Sequence, residues 1–255
     1  MRILLTGYKG FIGSNMLKAL EHEHEVDTFE WGEIYPDVRP YDWVIHMGAI
    51  SSTNEKNVEK VMLQNYEFSV DLYEDCSFYG VNFQFSSSAS VYGLGTSFKE
   101  SSPVDPRSPY AWSKYLFERY VEKNPPERSL VQIFRYFNVY GPGEGHKDQP
   151  SPFHAFKVQA EKYGKIKVFE NSQNYRRDFI HVDRVIDYHK RFFDIDESGL
   201  WNIGTGTTKS FLDVASSFGV DLEVIPMPTD LVNSYQQYTC ADLTKLKNTL
   251  MSRGH

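Results

Sequence analysis

Apolar residues in this chain come in short continuous runs, separated by stretches with helical periodicity. The run Arg2-Ile3-Leu4-Leu5-Thr6 predicts a strand over 2–6, and the apolar spacing from Phe11 to Glu21 predicts a helix. Strands are expected near 25–30 and 42–47. A long helix is expected over about 54–79, from Val58, Val61, Met62, Phe68 and Leu72, with Gly80 as its C-cap. Val81 to Phe85 reads as a strand, 109–123 as a helix and Leu130 to Phe134 as a strand. Strands alternating with helices imply right-handed crossovers and an α/β fold built on a doubly wound parallel sheet.

The texture changes after about residue 140. Gly141-Pro142-Gly143-Glu144-Gly145 and the prolines at 150 and 152 break the alternation. Residues 1–140 are therefore expected to form a dinucleotide-binding domain, and 141–255 mainly a smaller substrate-binding lobe. A strand-helix unit near 199–218 is expected to return to the main sheet. No period of 20 to 50 residues repeats, which argues against a solenoid.

Composition narrows the class. The 255 residues are 40% hydrophobic and 24% charged, as in an ordinary globular protein, which excludes general disorder. The formal charge of −7 argues against nucleic-acid binding, since little would neutralise a row of phosphates. Cys76 and Cys240 lie far apart and read as free thiols in a reducing compartment. No apolar run approaches the roughly 20 residues of a membrane span. The first strand begins at once, without a signal-peptide layout, so a cytoplasmic protein is expected.

Three constellations carry chemistry. The first is Gly7-Tyr8-Lys9-Gly10-Phe11-Ile12-Gly13, a Gly-x-x-Gly-x-x-Gly turn between a predicted strand and a predicted helix. Gly7 permits the tight turn, Gly10 lets the backbone approach a pyrophosphate, and Gly13 lets the helix pack closely. The helix N-terminus then faces the anion, as in a Rossmann-like dinucleotide site. Glu30, about 20 residues on, suits the ribose hydroxyls and repels a 2′-phosphate, favouring NAD with NADP as the alternative. The second is Tyr110-Ala111-Trp112-Ser113-Lys114, with phenol and ammonium on one helical face. A lysine there, with the positive nicotinamide, should pull down a phenol that normally ionises near pH 10. The third is the serine run Ser86-Ser87-Ser88 at the carboxyl end of a strand, where open parallel sheets hold ligands.

Glu21-His22-Glu23-His24-Glu25 offers metal-ligand residue types, but it sits at a helix end and reads as a solvated terminus. No metal site is expected. His46 and His181 lie in predicted strands and read as core residues.

In this order, the glycine turn, serine run, Tyr110 and Lys114 resemble the extended short-chain dehydrogenase/reductase superfamily. Within it, the chain is most similar to the ADP-L-glycero-D-manno-heptose 6-epimerases. That narrower likeness rests on Gly48-Ala49-Ile50-Ser51-Ser52-Thr53, on the stretch from Phe134 through Asn138-Val139-Tyr140-Gly141-Pro142-Gly143 to His146-Lys147, and on Tyr235-Gln236-Gln237-Tyr238-Thr239-Cys240-Ala241-Asp242-Leu243. It extends from Met1 to about Leu246. Arg177-Asp178-Phe179 and Asn202-Ile203-Gly204-Thr205-Gly206 are shared more widely among nucleotide-sugar enzymes.

The resemblance implies hydride transfer to and from a bound nicotinamide cofactor, with a keto intermediate at C6″ of an ADP-heptose. It implies Ser88, Tyr110 and Lys114 as catalytic residues and Lys147 as the second acid/base. It implies cofactor contacts from Phe11, Ile12, Trp31, Met47, Gly48, Ala49, Ile50, Ser51 and Asn65. Substrate contacts are implied for Asn138, Val139, Phe169, Glu170, Asn171, Ser172, Arg177 and Tyr235. A homo-oligomer is implied by analogy.

The chain also departs from the pattern. The stretch from Trp31 to Tyr41 is short, as though one strand-helix unit were missing, and the lysines near a 2′-phosphate are lost with it. Gln149 and Phe156 replace a serine and a histidine, and the family's last helical segment is missing after Leu243. Epimerisation at C4, keto-sugar reduction or dehydration on another nucleotide sugar stays open. Ser88-Ala89-Ser90 lacks the acidic pair expected of a dehydratase. A shortened, non-catalytic nucleotide-binding protein is the alternative from another class.

Overall fold

Leu4 faces one side of the first strand and Ile3 and Leu5 the other, and all three are buried. A strand apolar on both faces needs cover on both, which parallel sheets obtain from crossover helices. The computed structural model, which describes residues 1–147, 149–228 and 236–252, has this arrangement. β1 (Arg2–Thr6) leads to α1 (Phe11–Leu20), β2 (Glu25–Phe29) and β3 (Trp43–His46). A helical run follows as α2 (Val58–Val61), a π-helical segment (Met62–Glu67) and α3 (Phe68–Tyr79). Then come β4 (Asn82–Ser88), α4 (Pro109–Lys123), β5 (Val131–Tyr136) and β6 (Asn138–Tyr140). The remaining elements are α5 (Pro152–Tyr163), β7 (Lys165–Phe169), β8 (Arg176–Arg177), β9 (Phe179–His181), α6 (Val182–Phe192) and β10 (Gly199–Ile203). They end with β11 (Lys209–Ser210), α7 (Phe211–Ser216), β12 (Asp221–Ile225), β13 (Tyr238–Thr239) and α8 (Thr244–Met251).

The central sheet has the order β10-β5-β4-β3-β1-β2, every pair parallel. The chain reverses its march between β1 and β3, so the switch-point crevice opens beside the glycine turn. One core, with Ile3, Leu5, Ile45, Phe134 and Trp201, packs under α1, α6 and α8; the other, with Leu4, Val44, Phe83, Phe85 and Ile133, packs under α3 and α4. β10 returns to the sheet beside β5, while α7 packs against α5 and β7 away from it. Residues 30–42 form neither strand nor helix, leaving β2 as the edge strand.

Two sequence expectations change. The helix expected from about 54 starts at Val58, where the Asn57 side chain accepts the Lys60 N–H at 3.0 Å as an N-cap. Its middle widens into the π-helical segment, which turns Asn65 fully inward. The strands expected to end at Phe85 and Phe134 run on to Ser88 and Tyr136, because their polar residues find buried partners. Ser86 Oγ lies 3.0 Å from Tyr136 Oη, and Ser87 Oγ donates to Glu118 at 2.5 Å. The αL cap expected at Gly80 is present, with φ of 75°.

Both buried histidines are locked neutral. Gln132 donates to the carbonyls of Phe192 and Ile195, so its oxygen takes the Gln84 amide and leaves Gln84 Oε1 to accept from His189 Nδ1 at 2.7 Å. His189 Nε2 then accepts from the Tyr136 hydroxyl. Ser69 donates to the Asn65 carbonyl, so His46 Nε2–H donates to Ser69 at 2.8 Å and Nδ1 accepts from Thr6 at 2.6 Å. Burial pulls both imidazoles down to about 3, with Lys114 adding to the effect on His46.

Their unfolded value is near 6.5, so between about pH 3 and 6.5 the unfolded chain binds more protons than the folded one. Stability should therefore rise with pH across that window, by roughly 1.4 kcal/mol per pH unit for each histidine. Urea unfolding of the wild type, His46→Gln and His189→Gln at pH 4, 5 and 6 tests this. Each variant should lose part of the slope, and an unchanged slope in both would contradict it.

Candidate active site

The glycine turn is shaped by close backbone approach. Gly7 has φ of 72°, and a Cβ on it would stand 2.5 Å from Gly48 N; a Cβ on Gly13 would stand 2.1 Å from the Gly7 carbonyl oxygen. Those contacts bring α1, β1 and the loop after β3 together. α1 begins at Gly10 with no side-chain cap and no acidic residue in its first turn, leaving an N-terminus open to an anion. Glu30 Oε1 accepts the Lys9 backbone N–H at 2.7 Å, so a carboxylate stands at the rim of the turn. Trp31 follows it half exposed, packing edge-on against Phe68 at 5.4 Å. A narrow backbone cradle, an open helix N-terminus and a rim carboxylate together fit a dinucleotide whose adenosine ribose is unphosphorylated.

The loop Met47–Ser51 is fastened at both ends. Thr6 supplies its carbonyl to Met47 N–H at 3.3 Å and its hydroxyl to Gly48 N–H at 3.2 Å. Asn65 Oδ1 accepts from Ile50 N at 2.8 Å, and Asn65 Nδ2 donates to Ile50 O at 3.0 Å and Ser113 Oγ at 3.2 Å. Fully buried, with both amide hydrogens spent, Asn65 acts on the cleft by fixing this loop to α4. Ala49 and Ser51 lie on the same loop.

α4 starts with a Ser108 cap and Pro109 in its first turn, so Tyr110 emerges at the helix head. Its phenol lies near Ser88, the last residue of β4, close enough for the serine hydroxyl to draw it down. Ser88 Oγ also accepts the Ser90 N–H at 3.2 Å. Lys114 lies one turn below, 2% exposed, with Nζ 4.5 Å from the Phe85 ring centroid and 5.9 Å from that of Tyr110. Ser88, Tyr110 and Lys114 are thus gathered at the carboxyl ends of the strands. The electrostatic balance differs from the sequence expectation. Burial pushes the Tyr110 phenol up, with the Ser88 hydroxyl opposing, and burial pulls the Lys114 ammonium down to about 7 against the attraction of Glu118.

Lys147 reaches the glycine turn from the loop after β6. Asn15 donates to the Pro142 carbonyl at 2.9 Å, pinning that loop to α1. Glu144 is buried and accepts from Gly141 N, Ser151 N and Ser151 Oγ at 2.6–2.9 Å, shaping the loop from within. Lys147 Nζ then sits 5.0 Å from the Phe11 ring centroid, beside the glycine turn. Burial holds it below the usual lysine range, Glu144 opposing.

The other expected substrate residues divide. Asn138 donates to the Asp178 carbonyl at 3.0 Å beside buried Val139. Phe169 and Ser172 line a cavity of about 770 Å³, with Phe156, Tyr163, Lys167 and Phe211. Glu170 and Asn171 are exposed on the turn between them, Asn171 with φ of 60°. Arg177 is buried with its guanidinium 5.4 Å from the Phe211 ring centroid, and it donates to the Gln236 carbonyl. Gln149 accepts from the Thr53 hydroxyl at 2.9 Å, tying the two sides of the cleft. Tyr235 lies outside the described residues. Sequence reasoning missed the buried ion pair of Glu118 and Arg135, although Glu118 continues the four-residue spacing of Tyr110 and Lys114.

Residues 3–204 match the NAD dependent epimerase/dehydratase family. The fold is similar to the ADP-L-glycero-D-manno-heptose-6-epimerase of Helicobacter pylori, with a TM-score of 0.85, 22% identity, and 98% of this chain and 90% of that chain covered. It is also similar to the UDP-glucose 4-epimerase of Thermotoga maritima, with a TM-score of 0.83 and 25% identity over 98% of this chain and 93% of that one. The UDP-glucose 4-epimerase of Thermus thermophilus, solved with NAD, gives 0.80 and 26% over 100% and 93%.

Glu30 should set cofactor choice by charge. Calorimetry should find NAD bound about tenfold or more tighter than NADP, with Glu30→Gln narrowing the ratio. Equal affinity in the wild type would contradict this role for the carboxylate.

Proposed function

The chain belongs to the NAD dependent epimerase/dehydratase family, and from that premise we propose that it is a nucleotide-sugar epimerase inverting C6″ of an ADP-linked heptose. The observation that carries this reading is Lys147. An epimerase must manage the proton of one oxygen in two configurations, and a second acid/base from another element allows that. Lys147 is brought to the glycine turn by the Asn15–Pro142 bond and is kept by burial below the usual lysine range.

NAD, when bound, would supply a hydride acceptor and donor for the sugar carbon, so that no net redox would accrue. The glycine turn and the N-terminus of α1 would hold its pyrophosphate, and Glu30 its ribose. In one configuration Tyr110 takes the hydroxyl proton as the carbon becomes a ketone, and Ser88 steadies the oxygen. Lys114 favours the phenolate through its charge, against the burial that raises the phenol. After the carbonyl group turns, Lys147 gives the oxygen its proton on the other face. Arg177 and the aromatic cavity of Phe156, Tyr163 and Phe211 receive the nucleotide end of the substrate. Gln149 and Phe156 at this side favour a second reading, 4-epimerisation of a UDP-hexose by the same Tyr110 chemistry.

The test is conversion of ADP-D-glycero-D-manno-heptose, followed at C6″ by NMR with NAD added. Tyr110→Phe and Lys147→Met should each reduce turnover by about 10²–10⁴-fold while NAD binding persists. Full activity in Tyr110→Phe would overturn the mechanism. Turnover of UDP-glucose but not of the heptose would move the reaction to C4. Failure to turn over either sugar, with NAD bound, would favour a non-catalytic role.

A further inference from the structure

Tyr110, Lys114 and Glu118 recur every four residues on α4, so they share one face; the helix packs against β4, and Glu118 bonds Arg135 of β5. Lys114 and Glu118 are both buried, at 2% and 6% exposure. A buried ammonium is costly unless an opposite charge stands near it. From its own helix Lys114 is faced by Tyr110 and Glu118. From β3 it is faced by neutral His46, and from β4 by the Phe85 ring. Among these described groups only Glu118 carries a carboxylate.

That carboxylate is fixed from three sides. Oε1 accepts from Ser87 Oγ at 2.5 Å and Arg135 Nε at 2.9 Å, and Oε2 accepts from Arg135 Nη2 at 2.6 Å. Such a fork leaves it little freedom to turn away. Arg135 lies 4.8 Å from the Tyr92 ring centroid and donates to the Glu100 carbonyl at 3.4 Å, so the holder is itself held. Burial alone disfavours the Arg135 charge, yet the hydrogen bonds and attraction of Glu118 keep the guanidinium above the ordinary arginine range.

We infer that Glu118, clamped by Arg135 and Ser87, is a positioning residue that holds a negative charge one turn from Lys114 and so favours its ammonium. It touches neither sugar nor cofactor and acts only through the lysine. The inference deepens the proposed function and rests on it for its catalytic meaning. Its electrostatic part can be read without sugar or NAD. The competing account is a Glu118–Arg135 pair that joins α4 to β5 and leaves Lys114 untouched.

The experiment is a pH titration of 13Cε-lysine-labelled protein by NMR, with Lys114 assigned by Lys114→Arg. In the wild type its midpoint should fall near 7. Removing the negative charge in Glu118→Gln should lower that midpoint by about one pH unit, and the shorter carboxylate of Glu118→Asp by less. An unchanged midpoint in folded Glu118→Gln overturns the inference; if that variant does not fold, an unchanged midpoint in Glu118→Asp does so. Where the sugar is turned over, the high-pH limb of kcat/KM should move down by the same increment, with KM little changed. A shifted midpoint without turnover of any nucleotide sugar would leave the electrostatic inference standing and count against the proposed function. A shifted midpoint with an unmoved limb would overturn the positioning role.

Discussion

Everything in the cleft depends on three backbone segments meeting where no side chain fits. Gly7 lies so close to Gly48, and Gly13 to Gly7, that a Cβ at Gly7 or Gly13 would collide with backbone atoms. This contact directs the N-terminus of α1 at the crevice, and it seats the Met47–Ser51 loop on Thr6 and, through Asn65, on α4. A larger residue at Gly13 would push α1 off β1 and carry with it the 142 loop that brings Lys147. The proposed cofactor site and the proposed proton-transfer residues are thus parts of one packing problem.

Burial dominates the electrostatics of the site. It raises the Tyr110 phenol and lowers both lysines, so a reactive phenolate must be supported by charges and hydrogen bonds aimed at it. The protein places those groups on rigid elements: Ser88 at a strand end, Lys114 on α4, and Glu118 clamped from β5 beneath it. Lys147 differs in being carried by a loop, and that loop is stiffened internally by Glu144. Lys114, held near 7 by burial, can exchange protons at physiological pH, and burial moves Lys147 in the same direction.

Much of this was legible in the sequence where local rules apply. Continuous apolar runs marked the buried strands, glycine spacing marked the turn, and the Tyr110–Lys114 interval marked one helical face. The strand ends were harder to read, because Ser86, Ser87, Arg135 and Tyr136 are polar and become strand-compatible only through partners on other elements. The π-helical segment was illegible for a similar reason: its widening serves the burial of Asn65, whose partners lie 15 and 48 residues away. Spacing revealed the charge near Tyr110 but not the depth of its burial, which pushes the phenol up.

The central claim is that the inverted carbon loses and regains a hydride within one closed site, while Tyr110 and Lys147 handle only protons on oxygen. Running the epimerisation to equilibrium in deuterium oxide tests it most directly, with NMR or mass spectrometry reading the sugar carbon. Hydride return predicts an inverted product with no solvent deuterium at that carbon. Deuterium accumulating there in step with inversion would mean that the carbon is deprotonated to solvent, and would contradict the account.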